Sequence, residues 1–121
     1  MVTPESQILS GCLRYLNRAG IFHWRNNVGA VRVSMNRWVS FGLKGSSDIL
    51  AVLPPAGRIL CIECKSKTGR LSPEQEQFIG DITRLGGLAV VVRDWRELDT
   101  VLRREGFIND PLFESVPELT L

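Results

Sequence analysis

The sequence predicts one α/β domain with a mixed central sheet and helices on both faces of that sheet. Three observations carry this prediction. A helix pattern opens the chain at Thr3, two apolar runs separated by a breaker cluster occupy its centre, and helix and strand patterns alternate after Lys67. Elements in this order place helices on both sides of a sheet. The 121 residues suffice for one such domain, residues 1–121, and leave no room for a second catalytic unit.

The first element is a helix that begins at Thr3-Pro4, because a hydroxyl caps a helix and proline fits its first position. Its apolar stripe consists of Ile8, Leu9, Cys12, Leu13 and Leu16. At roughly 100° per residue, Glu5 falls near the middle of that stripe. A carboxylate facing the core is costly unless it is paired or bound to a cation. Glu5 therefore either has a role near a metal or lies at the surface and complements the helix dipole.

Residues 21–41 predict one or two strands, because residues with high β propensity surround a turn at Asn26-Asn27. The segment also carries arginines and tryptophans. Either they form a basic, aromatic surface that binds nucleic acid, or the tryptophans pack against the domain while the arginines are solvated. These residues are Trp24, Arg25, Arg32, Arg37 and Trp38.

The centre of the chain is a predicted hairpin of two strands. Ile49 to Leu53 and Arg58 to Ser66 are apolar runs, and Pro54 to Gly57 separates them. Side chains alternate between the two faces of a strand. One face of the second strand therefore presents Cys61, Glu63 and Lys65, and the other presents Leu60, Ile62 and Cys64.

Two carboxylates and a lysine meet at one end of this hairpin. Asp48 stands just before the first strand, where the hairpin can bring its carboxylate towards Glu63, beside Lys65. A Glu-x-Lys pair is most often a solvated surface pair, but here it lies in an apolar strand close to a second acid. Hard cations such as Mg²⁺ bind one or two carboxylates together with carbonyl and water oxygens. The hairpin is therefore a candidate Mg²⁺ site.

Cysteine and histidine offer no competing metal site. The three cysteines are an odd number, which argues against a disulfide framework. Cys61 and Cys64 point to opposite strand faces, so we expect core thiols. His23 is the only histidine, which argues against a histidine metal site or a Ser-His triad.

The second half of the chain predicts helix, strand and helix. Ser72-Pro73-Glu74-Gln75 is a capping box with proline at the first helical position. Leu88 to Val92 is a continuous apolar run typical of a strand covered on both faces. Asp94 to Glu97 starts a further helix that ends at Gly106. The tail, residues 107–121, has no assignment.

The charge distribution fits a phosphate-rich partner. The net charge is only +2, but leaving out the three tail acids Asp110, Glu114 and Glu118 leaves 15 basic and 10 acidic residues. Lys44, Lys67 and Arg70 bracket the candidate site and are either DNA contacts or solvated loop charges. No apolar run approaches the roughly 20 residues of a membrane span. We therefore expect an intracellular protein without a membrane partner.

The order G-S-S-D, hairpin, E-C-K and G-R-L-S-P-E-Q resembles the PD-(D/E)xK nuclease superfamily. Within it, the chain is most similar to the virus-type replication-repair nuclease (VRR-NUC) domain, from about Glu5 to about Arg93. One departure is that Ser47 stands where the superfamily name has proline.

The resemblance implies a restriction-endonuclease-like fold and a role for each matching residue. Asp48 and Glu63 would bind Mg²⁺ or Mn²⁺ with the backbone carbonyl of Cys64, and Lys65 would be the catalytic lysine. Gln75 would be the glutamine of the following helix, a role that can coexist with its capping role, and Glu5 would be the first-helix acid. The candidate DNA-contacting residues are Lys44, Ser46, Ser47, Lys67 and Arg70.

We therefore expect a metal-dependent deoxyribonuclease, selective for branched DNA such as four-way (Holliday) junctions. The alternative is a non-catalytic DNA-binding or assembly module that retains the fold. Resolving a junction requires two symmetry-related cuts, whereas one domain offers one active site. We therefore expect a homodimer. Candidate interface residues, which could equally pack against their own domain, are Trp38, Phe41, Leu112, Phe113, Val116 and Leu119.

Overall fold

The computed structural model describes residues 2–110, which form three helices and six strands. The helices are α1 (Pro4–Ala19), α2 (Pro73–Arg84) and α3 (Trp95–Arg104). The strands are β1 (Phe22–Arg25), β2 (Gly29–Ser34), β3 (Arg37–Phe41), β4 (Ile49–Leu53), β5 (Arg58–Cys64) and β6 (Leu88–Val92).

Four strands form the main sheet in the order β1-β4-β5-β6. β1 and β5 each pair with β4 in antiparallel orientation, and β6 pairs with β5 in parallel orientation. Ile49 lies opposite Ile62 in the predicted hairpin, and Glu63 lies opposite Val91. The predicted mixed-sheet α/β domain is confirmed, and its architecture is consistent with a restriction-endonuclease-like fold.

The hydrophobic core lies between one face of this sheet and helices α1 and α3. Every second residue of the central strands faces that core, and each fully buried aliphatic side chain contributes about 2 kcal/mol to it. Its fully buried members include Cys12, Tyr15, Leu16, Ile49, Leu60, Ile62, Cys64, Leu98 and Leu102. Helix α2 packs on β6, and its Gln75 binds Glu63 on the opposite face of β5. Helices thus cover both faces.

The predicted helix starts are confirmed by their hydrogen bonds. The Thr3 hydroxyl accepts from the Ser6 N–H at 3.0 Å, and the Ser72 hydroxyl accepts from the Gln75 N–H at 3.1 Å. The Asp94 carboxylate accepts from the Arg96 N–H at 2.8 Å. Each bond satisfies a backbone donor that has no partner within its helix.

The prediction of one or two strands in residues 21–41 is wrong, because the segment contains three. β1 joins the main sheet, where Phe22 pairs with Val52, while β2 and β3 form a separate two-stranded sheet. The turn between β2 and β3 lies at Met35 and Asn36, and it lacks the glycine or proline that marks many hairpin turns.

Strand β6 is only partly covered, although its apolar run predicted burial on both faces. Val92 is buried and Leu88 to Val91 are half-buried. Helices α2 and α3 both pack on β6, but β6 is the edge strand of the main sheet in the described part of the chain.

The three cysteines are buried and free, as predicted. Within residues 2–110, none of the helices is long and apolar enough to cross a membrane.

Candidate active site

The predicted acids and lysine lie at the ends of β4 and β5. Asp48 precedes β4, and its Oδ2 accepts a hydrogen bond of 2.7 Å from the backbone N–H of Cys64. Glu63 is the penultimate residue of β5, and Lys65 directly follows that strand. The hairpin therefore brings Asp48 to the strand end that carries Glu63 and Lys65. The register of the antiparallel β4–β5 pair is sufficient to explain why these residues lie close together.

Glu63 is buried and is held by two neighbours. Its side chain is almost fully covered, and its Oε1 accepts a hydrogen bond of 2.8 Å from Gln75 Nε2. The ammonium of Lys65, also buried, lies 3.9 Å from the same oxygen. The other carboxylate oxygen, Oε2, is buried and has no hydrogen-bond partner among residues 2–110.

Gln75 performs two structural tasks with one amide group. Its Oε1 accepts from the Ser72 N–H at 2.9 Å, which completes the capping box, while its Nε2 donates to Glu63. The capping box leaves the amide nitrogen free to face β5. The first turn of α2 thereby orients the buried carboxylate.

The surroundings of Glu63 disfavour its negative charge. Burial raises the pKa of the Glu63 carboxyl to about 8, the charge of Asp48 acts in the same direction, and the charge of Lys65 opposes both. Glu5 adds a smaller contribution that also raises this pKa. A buried carboxyl with an unpartnered oxygen beside a second carboxylate fits a cation site, because a divalent ion would satisfy that oxygen and offset both charges.

The structure offers two carboxylates, those of Asp48 and Glu63, as ligands for a metal ion. In the described part of the chain, no group of three or more His, Cys, Asp or Glu side chains is arranged to hold a metal ion. Glu5 lines a cavity together with Asp48 and Cys64 but does not complete such a group. Mg²⁺ commonly binds one or two carboxylates and takes its remaining ligands from carbonyls, water and substrate phosphate. The residues present therefore fit Mg²⁺ or Mn²⁺.

Two cavities meet at Asp48. One, of about 460 Å³, runs along the first turn of α1 and includes Glu5, Ser6 and Ser66. The other, of about 300 Å³, includes Asn27, Gly45, Ser46 and Gln75. Asp48 and Arg25 line both cavities. Because they share these two residues, the two cavities lie side by side and form a groove at Asp48. Glu63 lines neither cavity and lies buried behind Asp48.

The loop before Asp48 is fixed from two sides. The Asn26 side chain donates to Ser46 Oγ at 2.7 Å and to the Ser47 carbonyl at 2.9 Å, and its N–H donates to the Asp48 carbonyl at 2.8 Å. Gly45 lies so close to α2 that an added Cβ would come within 2.5 Å of the Glu74 backbone. Close packing therefore requires glycine there.

The predicted DNA-contacting residues fall into two groups. Lys44, Lys67 and Arg70 are exposed, and Lys44 forms an ion pair with Glu74 at 3.4 Å. Ser46 Oγ is occupied by hydrogen bonds to Asn26 and the Leu43 carbonyl. Ser47 is only 1% exposed and its hydroxyl has no partner in the described residues. Its burial argues against direct contact with DNA.

Arg25 and Arg93 belong to the site, although the sequence did not place them there. The Arg93 guanidinium donates to the carbonyls of Ser66 and Gly69 and so holds the loop after Lys65. The position of Arg93 after β6 was an available signal, because parallel strands end at the same sheet edge. Arg25 ends β1, and only its pairing with Ile49 places it beside Asp48.

The comparisons with known proteins agree with this geometry. No curated protein matches the chain. The family model described as VRR-NUC domain matches residues 4–95, which include both carboxylates, Lys65, Gln75 and the strands and helices that position them. The chain therefore belongs to the VRR-NUC domain family, whose members are nucleases of the PD-(D/E)xK type.

Proposed function

We propose that this protein is a metal-dependent deoxyribonuclease that hydrolyses phosphodiester bonds in the groove at Asp48. The observation that carries the proposal is the Glu63 carboxyl, which is buried beside Asp48 with one oxygen bound to Gln75 and the other unpartnered. A structural glutamate would be expected to have both oxygens satisfied or exposed. A carboxylate kept in this state is better suited to receive a cation.

Asp48, Glu63 and the backbone carbonyl of Cys64 would hold Mg²⁺ or Mn²⁺. When bound, the divalent cation would supply the Lewis acidity that activates water and the positive charge that offsets the charge on the phosphate. Gln75 keeps Glu63 Oε1 in place, and the unpartnered second oxygen would be available to the ion. Glu5, at the wall of the larger cavity, would contribute through water if it contributes at all.

Lys65 would stabilise the transition state. Its ammonium is buried and lies 3.9 Å from Glu63 Oε1. The backbone N–H of Lys65 donates to the Val92 carbonyl at 3.0 Å, which fixes the main chain at the end of β5. A fixed positive charge in a poorly solvated site stabilises the negative charge that develops during phosphoryl transfer. Lys65 would also orient the attacking water.

The DNA strand would lie along the groove formed by the two cavities. Arg25 faces both cavities and would bind a phosphate next to the cleaved bond. Arg93 supports this path indirectly, because it fixes the loop that precedes Arg70. The exposed side chains of Lys44, Lys67 and Arg70 would contact phosphates further along the strand.

We further propose selectivity for branched DNA, most plausibly four-way junctions, and a homodimer that places two active sites on one junction. A two-fold dimer presents both sites with matching polarity. Trp38 and Phe41 support this proposal, because they lie outside the hydrophobic core and are 64% and 46% exposed, although the Phe41 ring also packs over Gly29. The other candidate interface residues, Leu112, Phe113, Val116 and Leu119, lie outside the described residues.

The experiment is a cleavage assay with labelled linear, flap and four-way-junction DNAs in Mg²⁺, Mn²⁺ or EDTA, with the mass measured by light scattering. The expected result is cleavage with either metal, none with EDTA, a preference for junctions and the mass of a dimer. DNA binding without cleavage in either metal would favour the non-catalytic module instead. A monomer that cuts linear duplex as well as junctions would remove the branched-DNA and dimer proposals and leave the nuclease in place.

A further inference from the structure

The β2–β3 hairpin is a prominent surface that the site described above does not use. Every residue of both strands is exposed. An isolated two-stranded hairpin is marginally stable in water and gains stability when its surface is covered. The exposed large apolar residues of the hairpin are Val31, Val33, Met35, Trp38, Val39 and Phe41. A partner that covers this surface is therefore expected.

The hairpin rises from the edge of the groove. Asn27 and Val28, just before β2, line the smaller cavity together with Asp48. Gly45 and Ser46, on the chain that returns from β3, line the same cavity. A ligand that fills the smaller cavity therefore contacts the base of the hairpin.

The charge of this part of the chain favours a polyanion as the partner. Between Ser6 and Ser47 the sequence contains six basic residues and no Asp or Glu. The six are Arg14, Arg18, Arg25, Arg32, Arg37 and Lys44. Such an acid-free stretch has a positive field that attracts polyanions such as nucleic acid and repels basic protein surfaces.

The two faces of the hairpin differ. Val31 pairs with Val39 on one face, and Arg32 pairs with Trp38 on the other. The Arg32 guanidinium donates to the Met35 carbonyl at 2.6 Å, so its charge is held near the turn. Met35, at the turn, is 79% exposed and Trp38 is 64% exposed. Positive charge and exposed apolar groups therefore lie together at the hairpin tip.

We propose that the β2–β3 hairpin is an arm that contacts DNA beside the cleaved bond, with Arg32 and Arg37 on phosphates and Met35 and Trp38 against bases at a branch point. This inference rests on the proposed deoxyribonuclease function. A two-stranded ribbon fits the major groove of B-DNA, which is about 12 Å wide. Apolar side chains that enter a base stack cost least where stacking is already broken. The arm would thus give the enzyme its preference for branched DNA.

The test measures binding of labelled four-way junction and linear duplex by the full chain, by fluorescence anisotropy with Ca²⁺ in place of Mg²⁺. Arg37→Ala should weaken binding of both DNAs and lower the slope of log affinity against log salt by about 1. The matched control is Arg104→Ala, because Arg104 is exposed on α3 and lines neither cavity at Asp48. It should leave the affinity and the slope unchanged.

Trp38→Ala should weaken junction binding more than duplex binding, so that the ratio of the two affinities falls by about fivefold or more. The matched control is Phe22→Ala, which removes an aromatic ring that is 70% exposed outside the hairpin. Melting temperatures of all variants show whether a loss of DNA binding comes from a loss of stability. Light scattering shows whether it comes from a change in association.

If wild type binds DNA while Arg37→Ala and Trp38→Ala bind it equally well, the arm is wrong and the nuclease proposal stands. If Trp38→Ala converts a dimer into a monomer with DNA selectivity unchanged, the hairpin is an interface between two copies and the arm is wrong. If wild type binds neither DNA, the arm and the proposed function fail together.

Discussion

Glu63 is the residue whose environment departs furthest from that of an ordinary surface acid. Its carboxyl is buried, which raises its pKa to about 8, whereas an unfolded chain ionises it near 4.5. The protonated form therefore stabilises the folded, metal-free protein fully below pH 4.5. This stabilisation is lost as the pH rises towards 8. A bound divalent ion would favour the ionised Glu63 carboxylate over the protonated form, because only the carboxylate binds the ion well.

Glu63→Gln should therefore stabilise the metal-free protein at neutral and mildly alkaline pH. The glutamine cannot ionise and can still accept a hydrogen bond from Gln75. In EDTA, the melting temperature of the variant relative to wild type should rise between pH 5 and pH 8, by at least about 4 °C in total. Parallel melting curves for the two proteins over this range would contradict the assigned environment of Glu63.

Gln75 allows its capping role and its contact with Glu63 to be separated. Ser72→Ala removes one half of the capping box, at a cost of about 1 kcal/mol, and leaves the bond from Gln75 Nε2 to Glu63 intact. Gln75→Ala removes the other half of the box, the bond from the Ser72 N–H, together with the bond to Glu63. We expect a larger loss of melting temperature in Gln75→Ala, because a buried hydrogen bond is lost as well. We expect a tenfold or greater loss of cleavage rate, about 1.4 kcal/mol in activation free energy, only in Gln75→Ala. Equal loss of cleavage rate would show that Gln75 acts only through the helix cap.

Among the elements, the loop from Leu43 to Asp48 depends on its close approach to α2. Gly45 has φ +88° and its Cα hydrogens lie against Glu74, whereas Gly57, with φ +75°, has open space around it. Gly45→Ala should cost about 2–4 kcal/mol and weaken Mn²⁺ binding, because the displaced loop carries Asp48. Gly57→Ala should show only the backbone cost of about 1 kcal/mol. Chemical denaturation and calorimetry provide the two measurements, and equal effects on Mn²⁺ affinity would contradict the account.

The loop after β5 depends on Arg93 in a comparable way. The Gly69 amide donates to the Ser66 carbonyl at 3.1 Å inside the turn that Arg93 holds. Arg93→Ala should speed hydrogen exchange of the Gly69 amide by about tenfold or more, because local opening becomes easier by about 1.4 kcal/mol. Arg58→Ala is the control, since Arg58 donates to the Gly86 carbonyl at 2.9 Å and does not contact this turn. Unchanged exchange in Arg93→Ala would remove its anchoring role.

The sequence predicted those elements and contacts that depend on local pattern. Strand alternation and the hairpin register were sufficient to predict that Asp48, Glu63 and Lys65 lie together. The contact from Gln75 to Glu63 depends on how α2 packs across the sheet, which periodicity does not encode, so the prediction of a catalytic role for Gln75 rested mainly on the resemblance. The third strand of residues 21–41 was missed because Asn36 is the only turn-forming residue at Met35-Asn36 and no glycine or proline accompanies it.

At the scale of the whole molecule, the fold separates two tasks. The core between the sheet, α1 and α3 is apolar and stabilises the domain, while the strand ends at Ser47 and Glu63 carry buried polar groups that are not fully satisfied. Proteins keep unsatisfied groups where function requires them. The sequence did not predict that Arg25 belongs to the site. Its position in the groove depends on the order of the strands in the whole sheet, which no local pattern encodes.

The most direct test of the account is the rate of DNA cleavage as a function of Mn²⁺ concentration, measured for wild type, Asp48→Asn and Lys65→Ala. Asp81→Asn serves as the control, because it removes a carboxylate of α2 whose side chain is 45% exposed and which lines neither cavity at Asp48. Wild type and Asp81→Asn should show saturable, Mn²⁺-dependent cleavage. Asp48→Asn should show none, and Lys65→Ala should cleave at least about a hundredfold more slowly. Cleavage by wild type in EDTA, or Mn²⁺-dependent cleavage by Asp48→Asn at the rate of wild type, would contradict the account.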